Sequence, residues 1–342
     1  MKLKNTIRLV LLSLSFNSLY AVTIKWESSQ VPKKHFVSFA SYFKKAVEKK
    51  SLGKMKVEFS HLGDDVEDKE LFVFLDKRNK LISGGFGSKL SDLPFHMTEV
   101  YSSDLADTYS LFDYNIFDYP FLFSDFKQVN NFLDSSTGEK LVLQLNNNHV
   151  KNLGFVYTHG FRAIPSDYVK IRKIKDFKKL KFRTDLGVLN RAFYKELGAK
   201  IIFDRDDLDD SKYDNLDHGD TSIGVLEEYF IKGSKETAKY LNLTKHSIIT
   251  SGVLIHKGFL NSLTKEQRAI IYSAMKETIT FQRKYMQEQE KIQIDRVKKQ
   301  DFPIYLLSNS ERNKLKKLVE DKFKKFNKKF SSGLMKKAKG DK

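Results

Sequence analysis

Hydrophobic and polar positions at the start of the chain predict a β-α-β unit. Residues 22–28, VTIKWES, are rich in residues that favour strands, and residues 54–60, KMKVEFS, alternate as a half-buried strand does. Between them, apolar side chains recur at helical spacing at Phe36, Phe39, Ala40, Phe43, Ala46 and Val47, and Gly53 follows as a helix stop. Two strands joined by a helix form the unit of a parallel sheet covered by helices, so this pattern predicts an α/β fold.

Further strands and helices of the same kind are predicted up to residue 203. Residues 97–103, MTEVYSS, predict a third strand whose polar end, which includes Ser103, is placed to line a cleft. Residues 76–94 are interpreted as a surface insertion. The other predicted elements are helices at 64–75, 125–147 and 186–197 and strands at 152–159, 180–184 and 200–203.

A long helix is predicted near the end of the chain. Thr264 and Gln267 form a capping-box pattern, and no Gly or Pro interrupts residues 265–300. At 1.5 Å per residue this segment is long enough for one helix of about 50 Å that packs on two lobes. The alternative is two helices with a kink at 278–282, where β-branched residues cluster.

An amphipathic helix is predicted after Pro303, with Ser308 and Glu311 as its cap and Phe330 near its end. Its apolar face is expected to dock on the rest of the protein. A weak contact of this basic helix with a membrane surface is the alternative, because basic amphipathic helices with Phe bind anionic lipid. Residues 331–342 are predicted to be disordered.

The N-terminal sequence indicates an export signal, and the composition excludes several kinds of chemistry. The chain has 342 residues, enough for about two domains. Its first 21 residues combine a basic start, a short apolar run and Ala21, which predicts a signal peptide with the mature chain starting near Val22. Since there is no cysteine, disulfides, thiolate metal sites and Cys nucleophiles are excluded.

The net charge of +18 does not indicate a nucleic-acid-binding protein. Residues 312–342 carry +10 of it and the predicted signal peptide +3, which leaves a mildly basic body suited to an anionic small ligand. The dense aromatic run at 112–123 is interspersed with Asp113 and Asp118 rather than with basic residues, which favours packing over base stacking.

Motifs for cofactors, metals and catalysis are weak. The glycine-rich residues 84–89, GGFGSK, lack the spacing of a phosphate loop, and residues 205–210, RDDLDD, lack the glycine and distal glutamate of an EF-hand. The eight histidines show no HExxH spacing. We therefore expect no cofactor, no metal site and no enzyme.

Five short motifs resemble one protein family. Residues 176–185, DFKKLKFRTD, are similar to the D-x-K-G-L-K-x-R signature of TRAP-transporter solute-binding proteins, the DctP family, with Lys179 in place of Gly. Four further fragments match in the same order: LGD at 62–64, DYPFLFSD at 118–125, KELGAK at 195–200 and LTKHSI at 243–248. Together they cover most of the predicted mature chain.

The resemblance implies a two-lobed periplasmic binding protein fold, in which each lobe is a β-sheet covered by helices and a long helix spans both lobes. The predicted division is a signal peptide at 1–21, lobe I at 22–160 and 247–285, lobe II at 161–246 and 286–330, and a disordered basic tail at 331–342.

Arginine is the residue type that points to a ligand. Its rigid fork of donors can hold a carboxylate by two parallel hydrogen bonds. Arg183 occupies the family's arginine position and is predicted to be the principal carboxylate clamp, with Arg162 as its helper. The alternative is that both are solvated surface arginines in a Lys-rich segment.

One segment departs from the family. Relatives carry G-x-x-D-G-x-E-N where this chain has SIGVLEE at 222–228, so their polar ligand contact does not transfer. Either Glu227 or Glu228 holds the ligand instead, or the specificity has changed. Ser103 and Glu227 complete the predicted substrate-binding set with the two arginines.

The function implied by the resemblance is that of an extracytoplasmic solute-binding protein of a TRAP transporter. It would be a periplasmic monomer that captures an organic acid, a dicarboxylate or a sugar acid, and passes it to the membrane subunits. The alternative is a divergent binding scaffold or sensor that no longer serves a transporter.

Overall fold

A computed structural model describes residues 22–28, 33–61, 95–146, 149–183, 187–202, 216–233 and 237–340, without the side chains of Lys33 and Arg183. The predicted signal peptide, the helix at 64–75, the insertion at 76–94 and the acidic segment at 205–210 lie outside these residues. Within the described part, no helix has both the length and the apolar composition that crossing a membrane requires.

A mixed β-sheet runs through the molecule. Its strands follow the order β10-β8-β4-β9-β3-β1-β2, β7 pairs with β4, and β5 and β6 form a separate two-stranded sheet. β1 lies parallel to both β2 and β3, which confirms the predicted β-α-β start. The bounds are β1 Val22–Ser28, β2 Met55–His61, β3 Met97–Tyr101, β4 Val150–Ser166, β5 Lys181–Arg183, β6 Lys200–Ile202, β7 Thr221–Ser222, β8 Tyr240–Leu243, β9 Ile248–His256 and β10 Ile304–Leu306.

Helices cover the sheet. The α-helices are α1 Lys33–Lys50, α2 Ser102–Thr108, α3 Phe126–Leu133, α4 Ser136–Gln144, α5 Val188–Glu196, α6 Lys257–Ser262, α7 Lys265–Lys299, α8 Asn309–Lys322, α9 Lys324–Asn327 and α10 Leu334–Ala338. The 3-10 helices are Phe112–Asp118, Ile174–Lys179 and Ile223–Glu228. The predicted third strand is shorter than expected, because β3 ends at Tyr101 and Ser103 lies in α2.

Two hydrophobic clusters form the core. The smaller one surrounds Trp26 and joins α1 and β1 to the first half of α7. The larger one contains the aromatic run at 112–123, the end of β4, α5 and the C-terminal helices. Residues 105–145 therefore pack with the larger cluster, whereas the predicted division put them in lobe I with β1. The lobe boundaries remain a prediction.

The long helix forms as one piece. α7 has 35 residues and begins with the capping box of Thr264 and Gln267, as predicted, and no second helix starts at 278–282. It crosses β4 where that strand has two irregularities, between Asn152 and Phe155 and between Tyr157 and Gly160.

Polar side chains of α7 bind backbone groups of β4 on either side of the second irregularity. Gln282 accepts from the Tyr157 amide at 2.9 Å and donates to the Tyr157 carbonyl at 2.5 Å. Glu290 accepts from the Phe161 amide at 2.6 Å. Because a buried backbone group without a partner is costly, these side chains attach the helix to the strand that reaches the site.

The C-terminal helices dock on the protein, as predicted for the apolar face of the segment after Pro303. Phe323, Phe326 and Phe330 are buried in the larger cluster. The predicted disorder of residues 331–342 is wrong for the described residues 331–340. They contain α10, whose Leu334 and Ala338 are buried, because the docked Phe330 brings the following turn against α3.

Candidate functional site

Arg162 is the centre of a buried polar cluster at the end of β4. The strand pairing places it directly opposite Ser222 of β7, so both side chains lie on the same face. Its side chain is only 11% exposed, and its Nη1 lies 3.6 Å from Oδ1 of the fully buried Asp220. A buried guanidinium needs such an opposite charge, because burial alone disfavours the charged form.

Aromatic and imidazole groups hold Asp220 in place. Its Oδ2 accepts from the Tyr194 hydroxyl at 3.0 Å and lies 3.0 Å from Nε2 of His246. Nδ1 of His246 contacts the Thr244 hydroxyl at 2.8 Å, which fixes the orientation of the imidazole ring beside the carboxylate. Burial alone would raise the pKa of Asp220, but His246 and Arg162 outweigh it, so the pKa is lowered.

A second acidic residue, Asp118, faces the same arginine. Burial raises the pKa of Asp118, and the positive charge of Arg162 opposes part of that rise. A Cβ atom on Gly187 would lie 3.0 Å from Oδ2 of Asp118 and 3.1 Å from Cβ of Ser103. The absence of a side chain at Gly187 therefore lets Ser103 of α2, Asp118 and the start of α5 come together.

Four buried polar atoms of this cluster have no hydrogen-bond partner among the described residues. They are Nε of Arg162, Nδ2 of Asn190, Oγ of Ser222 and Oδ1 of Asp220. Asn190 lies beside Asp118, but its amide nitrogen makes no hydrogen bond of acceptable geometry. Most buried polar groups in proteins are hydrogen-bonded, so a concentration of exceptions around one arginine indicates a site for a polar ligand.

The structure brings together only part of the predicted substrate-binding set. Arg162 and Ser103 lie at the cluster. Glu227 lies in a half-exposed group in which it forms ion pairs with Lys34 and Arg296, so its geometry does not support a ligand contact. The backbone of Arg183 pairs with Ile202 in the small sheet, and its role as principal clamp remains a prediction.

The tertiary structure adds residues that sequence reasoning did not single out as ligand contacts: Asp118, Asn190, Tyr194, Asp220, Ser222 and His246. Two of them lie in quoted motifs, Asp118 in the DYPFLFSD fragment and Ser222 at the start of SIGVLEE. In that second segment Val225 and Leu226 are buried in the core and cannot replace the polar contact of relatives. Among the described residues, no group of acidic or histidine side chains is arranged to hold a metal ion.

Comparison with known proteins identifies the family and the fold of the chain. The profile of the bacterial extracellular solute-binding protein family 7, DctP, matches residues 28–203 and 220–329. The chain belongs to this family. The fold is that of DctP-family structures, a mixed sheet covered by helices.

Several DctP-family relatives show how far the similarity extends. The C4-dicarboxylate-binding protein of Bacillus subtilis is 24% identical over 84% of this chain and 77% of its own. The 2,3-diketo-L-gulonate-binding periplasmic protein of Escherichia coli is 29% identical over 54% of this chain and 56% of its own.

Solved structures superpose over nearly the whole chain. The sugar acid binding protein of Advenella mimigardefordensis, in complex with galactonate, is 23% identical, with a TM-score of 0.73 over 93% of this chain and 96% of that one. A TRAP periplasmic solute-binding protein of Haemophilus influenzae, with bound L-gulonate, is 19% identical, with a TM-score of 0.74 over 94% of this chain and all of that one. At these identities the likeness shows the fold.

Proposed function

We propose that this DctP-family protein is the periplasmic binding component of a TRAP transporter and captures an organic acid at Arg162. The observation that carries the proposal is the buried arginine surrounded by polar atoms without partners. The relatives named above are described as binding C4-dicarboxylates, 2,3-diketo-L-gulonate, galactonate and L-gulonate, which all carry a carboxylate. The captured acid would then pass to the membrane subunits.

The chemistry of Arg162 suits this role. Its Nη1 faces Asp220 at a distance too long for a hydrogen bond, and its Nε is unpartnered. The N–H groups of Nε and Nη2 lie on the same edge of a guanidinium, and such a pair of donors matches the two oxygens of a carboxylate. A hydrogen bond to a charged partner contributes about 1.5–3 kcal/mol, so one such contact is enough to orient the ligand in the site. Arg183, at the family's clamp position, is proposed as the second cation.

Calorimetric titration of a panel of organic acids tests the proposal. Arg162→Lys keeps the charge but loses the planar fork, so it should weaken binding of a confirmed ligand by about tenfold, equivalent to 1.4 kcal/mol. Arg183→Lys should weaken binding at least as much. Arg172→Lys is the matched control, because Arg172 is exposed and contacts the Tyr305 ring.

Circular dichroism melting would establish that each variant is folded. If folded Arg162→Lys binds the acid like the parent protein, Arg162 is not a ligand contact. If the parent binds no organic acid, the proposed function is wrong.

A further inference from the structure

The C-terminal helices α8, α9 and α10 present a strongly basic outer surface. Their large apolar side chains are turned inward, and Leu315, Phe326 and Leu334 are buried in the larger cluster. Within residues 309–340, which the structure describes in full, no large hydrophobic side chain is exposed. The surface that these helices show to solvent is therefore polar, and lysine is its commonest residue.

Much of the positive charge of this surface is not neutralised within the protein. Residues 309–340 contain twelve basic and three acidic residues. Each acidic side chain pairs with one lysine of the same segment: Glu311 with Lys314 at 2.6 Å, Asp321 with Lys324 at 3.6 Å and Glu320 with Lys339 at 2.7 Å. Six further lysines are exposed and form no ion pair with a described residue, and we call them the lysine face: Lys317, Lys325, Lys328, Lys329, Lys336 and Lys337.

A neighbouring segment extends this charge. The 3-10 helix Ile174–Lys179 lies against the start of α8, where the Ile174 amide donates to Oε2 of Glu311 at 2.9 Å. The carboxylate of Asp176 is buried and accepts from two backbone amides, so it adds little negative charge to the surface. The exposed side chains of this segment include Lys173, Lys175 and Lys178. Positive charge is thus continuous from α8 onto the body of the protein.

The composition of the lysine face fits a lipid surface better than a protein partner. Interfaces between proteins are enriched in aromatic residues, Met and Arg and are depleted in Lys. A lysine ammonium is a point charge on a flexible stem, so it can follow phosphate groups that have no fixed arrangement. Anionic lipid headgroups offer such phosphates, and they attract basic residues that lie near the membrane surface.

We infer that the lysine face binds an anionic lipid surface. Because the phenylalanines of these helices are buried in the larger cluster, the contact is electrostatic and inserts no side chain into the bilayer. The inference does not depend on the organic-acid ligand, since Arg162 lies in a buried cluster at the end of β4 and not on the C-terminal helices. Such a contact would concentrate the protein at a membrane.

Flotation with lipid vesicles tests the inference on the protein without its predicted signal peptide. Vesicles of phosphatidylcholine alone are compared with vesicles in which about one third of the lipid is phosphatidylglycerol. The protein should float with the anionic vesicles at about 0.05 M salt and not at about 0.5 M, because salt screens attraction between exposed charges. It should not float with the neutral vesicles at either salt concentration.

A variant with four substitutions identifies the surface responsible. Each basic residue at an anionic membrane contributes about fivefold in affinity, so loss of two contacts among the four should weaken binding by at least about 25-fold. The combined substitutions are Lys317→Gln, Lys328→Gln, Lys336→Gln and Lys337→Gln.

The control variant loses the same charge beside the smaller cluster. Its four lysines, in α1, in β2 and in the turn between them, are also exposed and form no ion pair with a described residue. This variant should bind the anionic vesicles within about twofold of the parent, because charges far from the contact are screened. The combined substitutions are Lys45→Gln, Lys49→Gln, Lys54→Gln and Lys56→Gln.

Chemical modification of the parent protein gives a second readout that needs no variant. An amine-reactive reagent should modify the lysine face less in the presence of anionic vesicles, whereas the four control lysines should remain as reactive as in their absence. Equal protection of both sets would contradict the assignment to the C-terminal helices, even if the four-lysine variant did not fold.

The remaining outcomes are decisive. Absence of binding to anionic vesicles would overturn the inference, and it is also the result expected if the lysine face served a protein partner. Equal losses in the two variants would show that net charge acts and not this surface. Binding to neutral vesicles would exclude a purely electrostatic contact. Both variants should bind an organic acid like the parent, so failure of this inference is distinct from failure of the proposed function.

Discussion

Replacing Gly160 by alanine tests the contact that joins the long helix to the strand carrying Arg162. Gly160 has φ +82° at an irregularity of β4, and an added Cβ would lie 2.7 Å from Oε1 of Glu290. That oxygen accepts the Phe161 amide at 2.6 Å, and Oε2 of the same carboxylate accepts from Lys245 at 3.1 Å. The substitution must therefore strain the backbone and displace a buried, hydrogen-bonded carboxylate.

The two costs can be separated. A side chain at positive φ costs about 1 kcal/mol, and loss of a hydrogen bond to a charged group costs about 1.5–3 kcal/mol. Gly160→Ala should therefore lower the free energy of unfolding by about 2.5–4 kcal/mol. Gly53→Ala is the matched control, because Gly53 has φ +78° but an added Cβ there would have no atom within 4 Å. It should cost about 1 kcal/mol.

Denaturation in urea measures both variants. The single tryptophan, Trp26, is fully buried and reports unfolding of the core by its fluorescence. Equal losses for the two variants would show that displacement of Glu290 contributes nothing, and the argument would fail. In the background Glu290→Ala, the extra cost of Gly160→Ala over Gly53→Ala should disappear, since the displaced carboxylate is then absent.

Three further predictions concern the C-terminal residues 331–342, the loss of stability at low pH and Glu227. Deletion of residues 331–342 should lower the free energy of unfolding by about 2–4 kcal/mol, because Leu334 and Ala338 lose their buried environment. Urea denaturation measures this loss, and an unchanged midpoint would contradict the docking of α10 on the protein. The lowered pKa of Asp220 stabilises the fold above the unfolded-state pKa of about 3.9, and this stability is lost as the pH falls through the folded-state pKa. In Asp220→Asn the free energy of unfolding, measured by denaturation at a series of pH values, should fall less steeply below about pH 4. An equally steep fall in the variant would count against the ion pair of Asp220 with Arg162. Glu227→Gln should change ligand affinity by less than about twofold, because a half-exposed ion pair contributes little; a larger loss in calorimetry would restore Glu227 to the site.

Local patterns were sufficient for much of the fold. The spacing of apolar residues predicted β1, α1 and β2, and the capping box of Thr264 and Gln267 predicted where α7 begins. Such features depend on side chains within a few residues of one another, so the sequence displays them directly. The resemblance to the family was also recognised from five short motifs. Each motif consists of consecutive residues, so it can be read without knowledge of the tertiary structure.

The tertiary structure decided which polar residues are buried. Glu290 of α7 is buried where it accepts the Phe161 amide beside the irregularity at Gly160, and the sequence of the helix does not display this contact. The helix α10 in the predicted disordered tail depends in the same way on a surface formed by distant parts of the chain.

The candidate site depends most on the tertiary structure. Asp118, Arg162, Asn190 and Asp220 belong to four separate segments, and in the sequence each looks like an ordinary charged or polar residue. The chemistry of arginine identified Arg162 as a candidate, but its carboxylate neighbours appear only when the 3-10 helix, β4, α5 and the loop before β7 meet. The reason is physical: charge pairing and desolvation act through space over a few ångströms, whereas the sequence records only neighbours along the chain.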